Sequence, residues 1–203
     1  MANMNSYIEQ LQKVLANAKV LLSESDWEFV KEDDGIICER KEFKDVCPIP
    51  CYRVSGQITN KSFEEVKKLI WTTNEARAKE LDPSIIYWKI EKENDDKSCR
   101  VVVQRNKLMF PLWTREGVCA QAKFHEEGKL WSVAASVSDP DIVTDENEFV
   151  LTKIHMTVTL VEKTDDGITY HKIAQIDPCG NIPQSVVNYF ASNTMDIVKK
   201  LRN

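Results

Sequence analysis

The sequence predicts an α+β fold in which a curved antiparallel sheet of about nine strands wraps around a long C-terminal helix. One helix precedes the sheet and two short ones follow its third strand. Three observations carry this. Apolar residues recur at helical spacing near each end of the chain, the middle alternates with period two, and Asp-Gly pairs punctuate it where hairpins turn. At the end, Val186, Val187, Phe190, Ala191, Thr194, Ile197, Val198 and Leu201 form one apolar stripe. Asn181 is placed to cap that helix, Pro183 suits its first turn, and Lys199, Lys200 and Arg202 complement its dipole at the far end. A helix of about twenty residues is roughly 30 Å long, enough to lie across a small domain and close a cavity.

In chain order, Ile8, Leu11, Leu15, Ala18, Leu21 and Leu22 give an amphipathic helix over Ser6 to Leu22, expected on the outside of the sheet. Strands at Trp27 to Val30 and Ile36 to Phe43 flank Asp33-Asp34-Gly35, a hairpin turn. After Pro48 and Pro50 a third strand runs from Cys51 to Thr59 with Tyr52, Val54, Gly56 and Ile58 on one face, and Gly56 suggests a bulge. Ser62 and Glu65 make a capping box for a helix carrying Phe63, Val66, Leu69 and Ile70, and a second short helix from Asn74 to Leu81 stops at Asp82-Pro83. Six strands follow, at Ile85 to Lys92, Ser98 to Arg105, Gly117 to His125, Leu130 to Ser138, Phe149 to Lys163 and Ile168 to Ile176. In the fifth of these, strict alternation puts Val150, Thr152, Ile154, Met156, Val158 and Leu160 on one face. In its partner Ile168, Tyr170, Ala174 and Ile176 share the apolar side.

With 203 residues, 42% of them hydrophobic, the chain suits one domain over 1–203 with a sizeable core. Twenty-seven basic against thirty-two acidic residues, interspersed, argue against nucleic acid as a partner. There is no apolar run of membrane-spanning length and no signal-peptide core at the start, so the expectation is a cytoplasmic monomer, peripheral to membranes at most. The six cysteines show no CxxC pair and no metal-ligand spacing with His125, His155 and His171. Reduced thiols, sheet-surface histidines and no metal or other cofactor are the reading. No GxSxG, P-loop or dinucleotide fingerprint occurs. The acidic run Asp139 to Glu148 reads as a solvated loop without EF-hand spacing.

Three motifs then stand in order: Leu81-Asp82-Pro83 before a strand, Thr114-Arg115-Glu116-Gly117-Val118 opening another, and Ile176-Asp177-Pro178-Cys179-Gly180-Asn181-Ile182-Pro183 leading to Val186-Val187-Asn188. With the element order, they make the chain resemble the START domain family of lipid-transfer modules, which has the helix-grip fold, over nearly its whole length. The resemblance implies an internal tunnel that holds one lipid, a phospholipid, a sterol or a related molecule, and carries it between membranes without covalent change. It implies no enzyme. Two other readings stay open: a cyclase- or hydratase-like enzyme using Arg115, Tyr87 or a cavity histidine, and a ligand sensor acting through a protein partner.

Within that resemblance Arg115 matches an arginine that reaches the tunnel, Tyr87 stands where sterol carriers have an acid, and Arg77 with Asp82 stands near the arginine and aspartate of phosphatidylcholine carriers. Neither head-group site is reproduced cleanly. The expected lipid contacts are these four together with Ala120, Ala134, Met156, Val187, Phe190 and Thr194. Small residues on the middle strands, Ala120, Ala122, Ser132, Ala134 and Ser136, leave room for a cavity, or else for another element to pack closely. The loop Lys107 to Trp113, with Leu108, Met109, Phe110, Leu112 and Trp113, is either a membrane-docking tip or a plug for the open end.

Overall fold

The computed structural model describes residues 4–183 and 194–203. Helix α1 spans Met4–Ser23; strands β1 (Glu28–Asp33), β2 (Ile36–Lys41) and β3 (Cys51–Ile58) lead to α2 (Phe63–Ile70) and α3 (Glu75–Leu81). Then come β4 (Ile85–Glu93), β5 (Cys99–Asn106), β6 (Arg115–Glu126), β7 (Lys129–Ser136), β8 (Val150–Leu151), β9 (Lys153–Thr164) and β10 (Gly167–Asp177). A C-terminal helix is described over 194–202. The predicted start of that helix, with Val186, Val187, Phe190 and Ala191, lies outside the described residues.

One sheet runs in the order β1-β2-β3-β10-β9-β7-β6-β5-β4, antiparallel along the whole path, and the two-residue β8 pairs parallel to β6. The sheet has ten strands because the segment expected as one strand from Phe149 to Lys163 breaks at Thr152. Local signals act as read. Asp34 (φ 53°) and Gly35 (φ 66°) both take left-handed backbone in the β1–β2 turn, as a tight hairpin requires. Ser62 and Glu65 form the reciprocal capping box of α2, and the Asn74 side chain caps α3.

The two sheet faces have different partners. On the outer face α1 lays Tyr7, Leu11, Leu15 and Ala18 over Val101, Ala120, Ala122, Trp131, Val133, Val158 and Leu160. Ala120 and Ala122 are small because a helix packs on them, so the close-packing explanation accounts for these two. On the inner face Met195, Val198 and Leu201 of the C-terminal helix pack on Ile36, Tyr52, Val54, Ile58, Val161, Ile168 and Tyr170. Gly56 makes no bulge, since β3 pairs in unbroken register with β10 across it. It is there for clearance: a Cβ would sit 3.3 Å from side-chain carbons of Ile36 and Val198. The helix's basic end is tied down at three places. Lys199 pairs with Asp33, Lys200 donates to the carbonyls of Glu80 and Leu81, and Arg202 donates to Gln57 O and Asp34.

The acidic loop is not wholly solvated. Asp139 is buried and accepts from Lys92 Nζ (2.7 Å), the Asp141 N–H (3.0 Å) and Tyr7 Oη (3.0 Å), which fastens the start of α1 to the end of β7. Burial pushes the Asp139 carboxyl up, but these donors outweigh it and hold it below the usual carboxylate range, while the Tyr7 phenol is pushed up to about 12. A depressed folded-state value means that the stabilisation is present above the unfolded value of about 3.9 and fades as pH falls through the lower, folded one. Asp139→Asn is therefore expected to melt earlier than wild type at neutral pH, with the gap closing below about pH 4; a pH-independent difference in thermal scans would refute this.

Candidate functional site: a cavity under the C-terminal helix

Between the inner sheet face and the C-terminal helix lies a cavity of about 140 Å³. Each wall follows from strand parity. β10 turns Lys172, Ala174 and Ile176 inward, continuing the Ile168 and Tyr170 side, while β5 offers Gln104 and Asn106 and β6 offers Arg115 and Gly117. Ile49, Pro50 and Tyr52 come from the start of β3 and the turn before it, Leu108 from the loop after β5, and Thr194 and Ile197 from the C-terminal helix. The surface is mostly apolar. Its polar row is a hydrogen-bonded chain: Gln104 Nε2 donates to Asn106 Oδ1 (2.7 Å), Asn106 Nδ2 to Ser84 Oγ (2.8 Å) and the Ser84 N–H to Asp82 Oδ1 (2.9 Å).

Arg115, 5% exposed, lines the cavity without an acidic partner among the described residues. Its guanidinium donates to three backbone carbonyls, Trp113 O (2.6 Å), Pro178 O (3.0 Å) and Cys179 O (3.1 Å). Burial holds its pKa below the ordinary arginine value. The side chain thus joins the loop after β5 to the Asp-Pro-Cys-Gly segment that leads toward the C-terminal helix. Arg115 acts as a latch as well as a wall.

Of the expected ligand contacts, Arg115, Asp82 and Thr194 meet in this wall, joined by Leu108 of the loop expected to dock on a membrane or plug the open end. Val187 and Phe190 lie outside the described residues. The others stand elsewhere. Ala120 is beneath α1. Tyr87 stacks on Arg105 (4.7 Å), whose Nε donates to the buried Glu116 at 2.6 Å. Arg77 pairs with Glu80 along α3. Met156 packs with Trp27, Cys51 and Ile173 beside the end of α1. Ala134 is half-buried on β7, outside the wall as drawn from the described residues. Ile154, read as sharing a face with Met156, lines the cavity instead, because a bulge at His155 reverses the side-chain parity between them. On the loop, Leu112 is half-buried, whereas Met109, Trp113 and above all Phe110, 97% exposed, project into solvent.

Sequence reasoning passed over Lys172. It stands in the middle of the sheet, paired with Val54 and Thr159, and faces the cavity. Burial pushes its ammonium below the ordinary lysine range, against the pull of Asp82. The cue available in the sequence was its parity, two residues from both Tyr170 and Ala174. Arg100 was also passed over: it is buried between Trp71 (4.0 Å) and Trp88 (5.1 Å), its Nε donates to Gln121 Oε1, and burial lowers its pKa to about 10.

The histidines are placed apart. His171 shares a 2.8 Å hydrogen bond with Ser55, and His125 lies near the end of β6. At the bulge, His155 comes together with Cys47 and Asp177, their ligand atoms all within 4.8 Å of one another, although no sequence spacing signalled it. These are metal-ligand types; burial first and then the nearby charge of Lys153 hold the His155 pKa below the ordinary histidine value, against the pull of Asp177. All six cysteines are free thiols, five of them buried.

The START domain family model matches residues 8–201. Among solved structures, human StAR-related lipid transfer protein 5 superposes with a TM-score of 0.84 at 18% identity, covering 98% of this chain and 96% of that one. Human STARD10 gives 0.79 at 15% identity, with coverages of 94% and 77%. A STAR-related lipid transfer protein from the bacterium Xanthomonas axonopodis gives 0.70 at 19% identity, with coverages of 88% and 97%. Identities this low speak for the helix-grip fold, and against the curated proteins the sequence finds no match. The family match spans both walls of the cavity and the latch between them: the chain belongs to the START domain family.

Proposed function

We propose that the protein binds one lipid or other apolar ligand in the cavity beneath its C-terminal helix and carries it between membranes, as a monomer working from the cytosol. Lipid binding and transfer are the activities the family supports, and the observation that carries them here is the mostly apolar cavity. Burying an alkyl chain is favourable by about 0.8 kcal/mol per CH₂, so shape and apolar lining suffice to hold the ligand. At about 140 Å³ the cavity is close to the roughly 150 Å³ of an engineered apolar cavity that takes up benzene. It therefore receives a ring or part of one chain, and a two-chain lipid requires the grip to open.

The loop 107–113 supplies the means. Leu108 is buried in the cavity wall while Met109, Phe110 and Trp113, at most five residues away, are exposed. A membrane that takes up those three side chains pulls on the wall itself, coupling docking to ligand entry. No helix among the described residues is long and apolar enough to cross a membrane, so contact is assigned to this tip. Two measurements test the reading. Native mass spectrometry of protein purified from cells should show a bound lipid, and transfer between donor and acceptor vesicles should follow. Phe110→Ser with Trp113→Ser should weaken vesicle binding about tenfold or more, since each exposed ring gives up apolar burial. Unchanged vesicle binding removes the docking role; the absence of any bound lipid and of transfer removes the carrier role.

A further inference from the structure

We propose that the ligand carries a single negative charge on an oxygen head group, a long-chain carboxylate being the simplest case, and that Lys172 is the residue that meets it. This rests on the carrier reading above. Lys172 sits at mid-sheet with β3 and β9 hydrogen-bonded on either side, so its side chain has no sheet edge over which to reach solvent. It forms no hydrogen bond or ion pair of 4.0 Å or less among the described residues, even with Asp82, the carboxylate in the same wall. Lys172 is only partly exposed, and an ammonium in a cavity wall shared with Tyr52, Ile154 and Ile197, without a partner among the described residues, is costly unless a ligand meets it. An anionic ligand removes that cost, and burial already holds the Lys172 ammonium below the ordinary lysine range.

Charge counting fixes the valence. Among the described residues the wall holds two cations, Arg115 and Lys172, and one carboxylate, Asp82, which leaves one positive charge. Arg115 is already engaged by three carbonyls, so Lys172 is the cation with donors to give. Asp82 in the same wall repels a second negative charge. A phosphate monoester, with about −1.5 to −2 at neutral pH, is disfavoured against a carboxylate for this reason. Apart from the hydrogen-bonded row of Gln104, Asn106 and Ser84 and the hydroxyls of Thr152 and Thr194, the rest of the wall is apolar and takes the chain.

The test compares decanoate, decan-1-ol and decyl phosphate by calorimetric titration into the full chain, as wild type, Lys172→Met and Lys172→Arg. Wild type should bind decanoate about tenfold or more tighter than decan-1-ol. Lys172→Met should lose that preference while binding the alcohol at least as well, and should melt higher than wild type when empty. That rise separates a binding lysine from a structural one, whose loss would lower the melting temperature. Lys172→Arg should restore part of the preference. Equal binding of decanoate and decan-1-ol by wild type overturns the inference and leaves the carrier reading standing. Tighter binding of decyl phosphate overturns the single-charge assignment, and failure of all three ligands to bind overturns both.

Discussion

Arg115→Leu is expected to cost about 2–4 kcal/mol of stability and to release the segment leading to the C-terminal helix. The guanidinium is buried and supplies donors to three carbonyls at 2.6–3.1 Å, on Trp113, Pro178 and Cys179. Leucine fills similar space but leaves those acceptors unmade, and each buried acceptor left so costs about 1–3 kcal/mol. Two effects moderate the sum. Removing the arginine also removes the cost of burying its charge, and carbonyls near the half-exposed Cys179 can find water. Denaturant unfolding should show the midpoint fall with little change in slope, and hydrogen exchange should rise at the amides of Cys179 and Gly180. Arg115→Lys should recover only part of the loss, because one ammonium cannot span three acceptors in two segments. Loss of ligand binding in Arg115→Leu with unchanged stability would show that the side chain serves the ligand and not the backbone.

Gly56→Val is expected to unseat the C-terminal helix at a cost of about 1–3 kcal/mol, the range for forcing extra carbon into a packed core. The Cβ alone meets Ile36 and Val198 side-chain carbons at 3.3 Å and the Arg202 guanidinium at 3.4 Å, and valine adds two methyl groups beyond it. Valine's stiffer backbone and fondness for strands return roughly 0.5–1 kcal/mol, which does not offset the overlap. Because Thr194 and Ile197 belong to the same helix and line the cavity, ligand affinity should fall together with melting temperature. Gly56→Ala, which adds only the Cβ, should lie between the two. A Gly56→Val protein as stable as wild type would mean that the helix does not pack where Val198 is seen to contact β3.

What lay in the sequence were features decided within a few residues. The Asp34-Gly35 turn, the Ser62–Glu65 capping box, the Asn74 cap and the stop at Asp82-Pro83 are set by backbone chemistry that no distant element alters. Together with the element order and the motif from Ile176 to Pro183, these were enough for the helix-grip fold and its family. Part of the candidate site was legible for the same reason: Arg115, Asp82, Leu108 and Thr194 belong to motifs or to the loop and helix that bound the grip.

The rest was decided by tertiary structure. Period two shows which residues share a face but not what covers that face, so Ala120 read as cavity lining until α1 was seen packed on it. One extra residue at His155 separated Ile154 from Met156, a reversal that depends on the partner strand β10 and leaves no mark on the alternation. Lys172 was hidden by a reasonable prior, since a lysine among apolar residues usually points to water. Its side was set by strand parity, and what encloses that side is the C-terminal helix packed over the sheet's inner face, which turned an ordinary strand lysine into a charge lining a cavity.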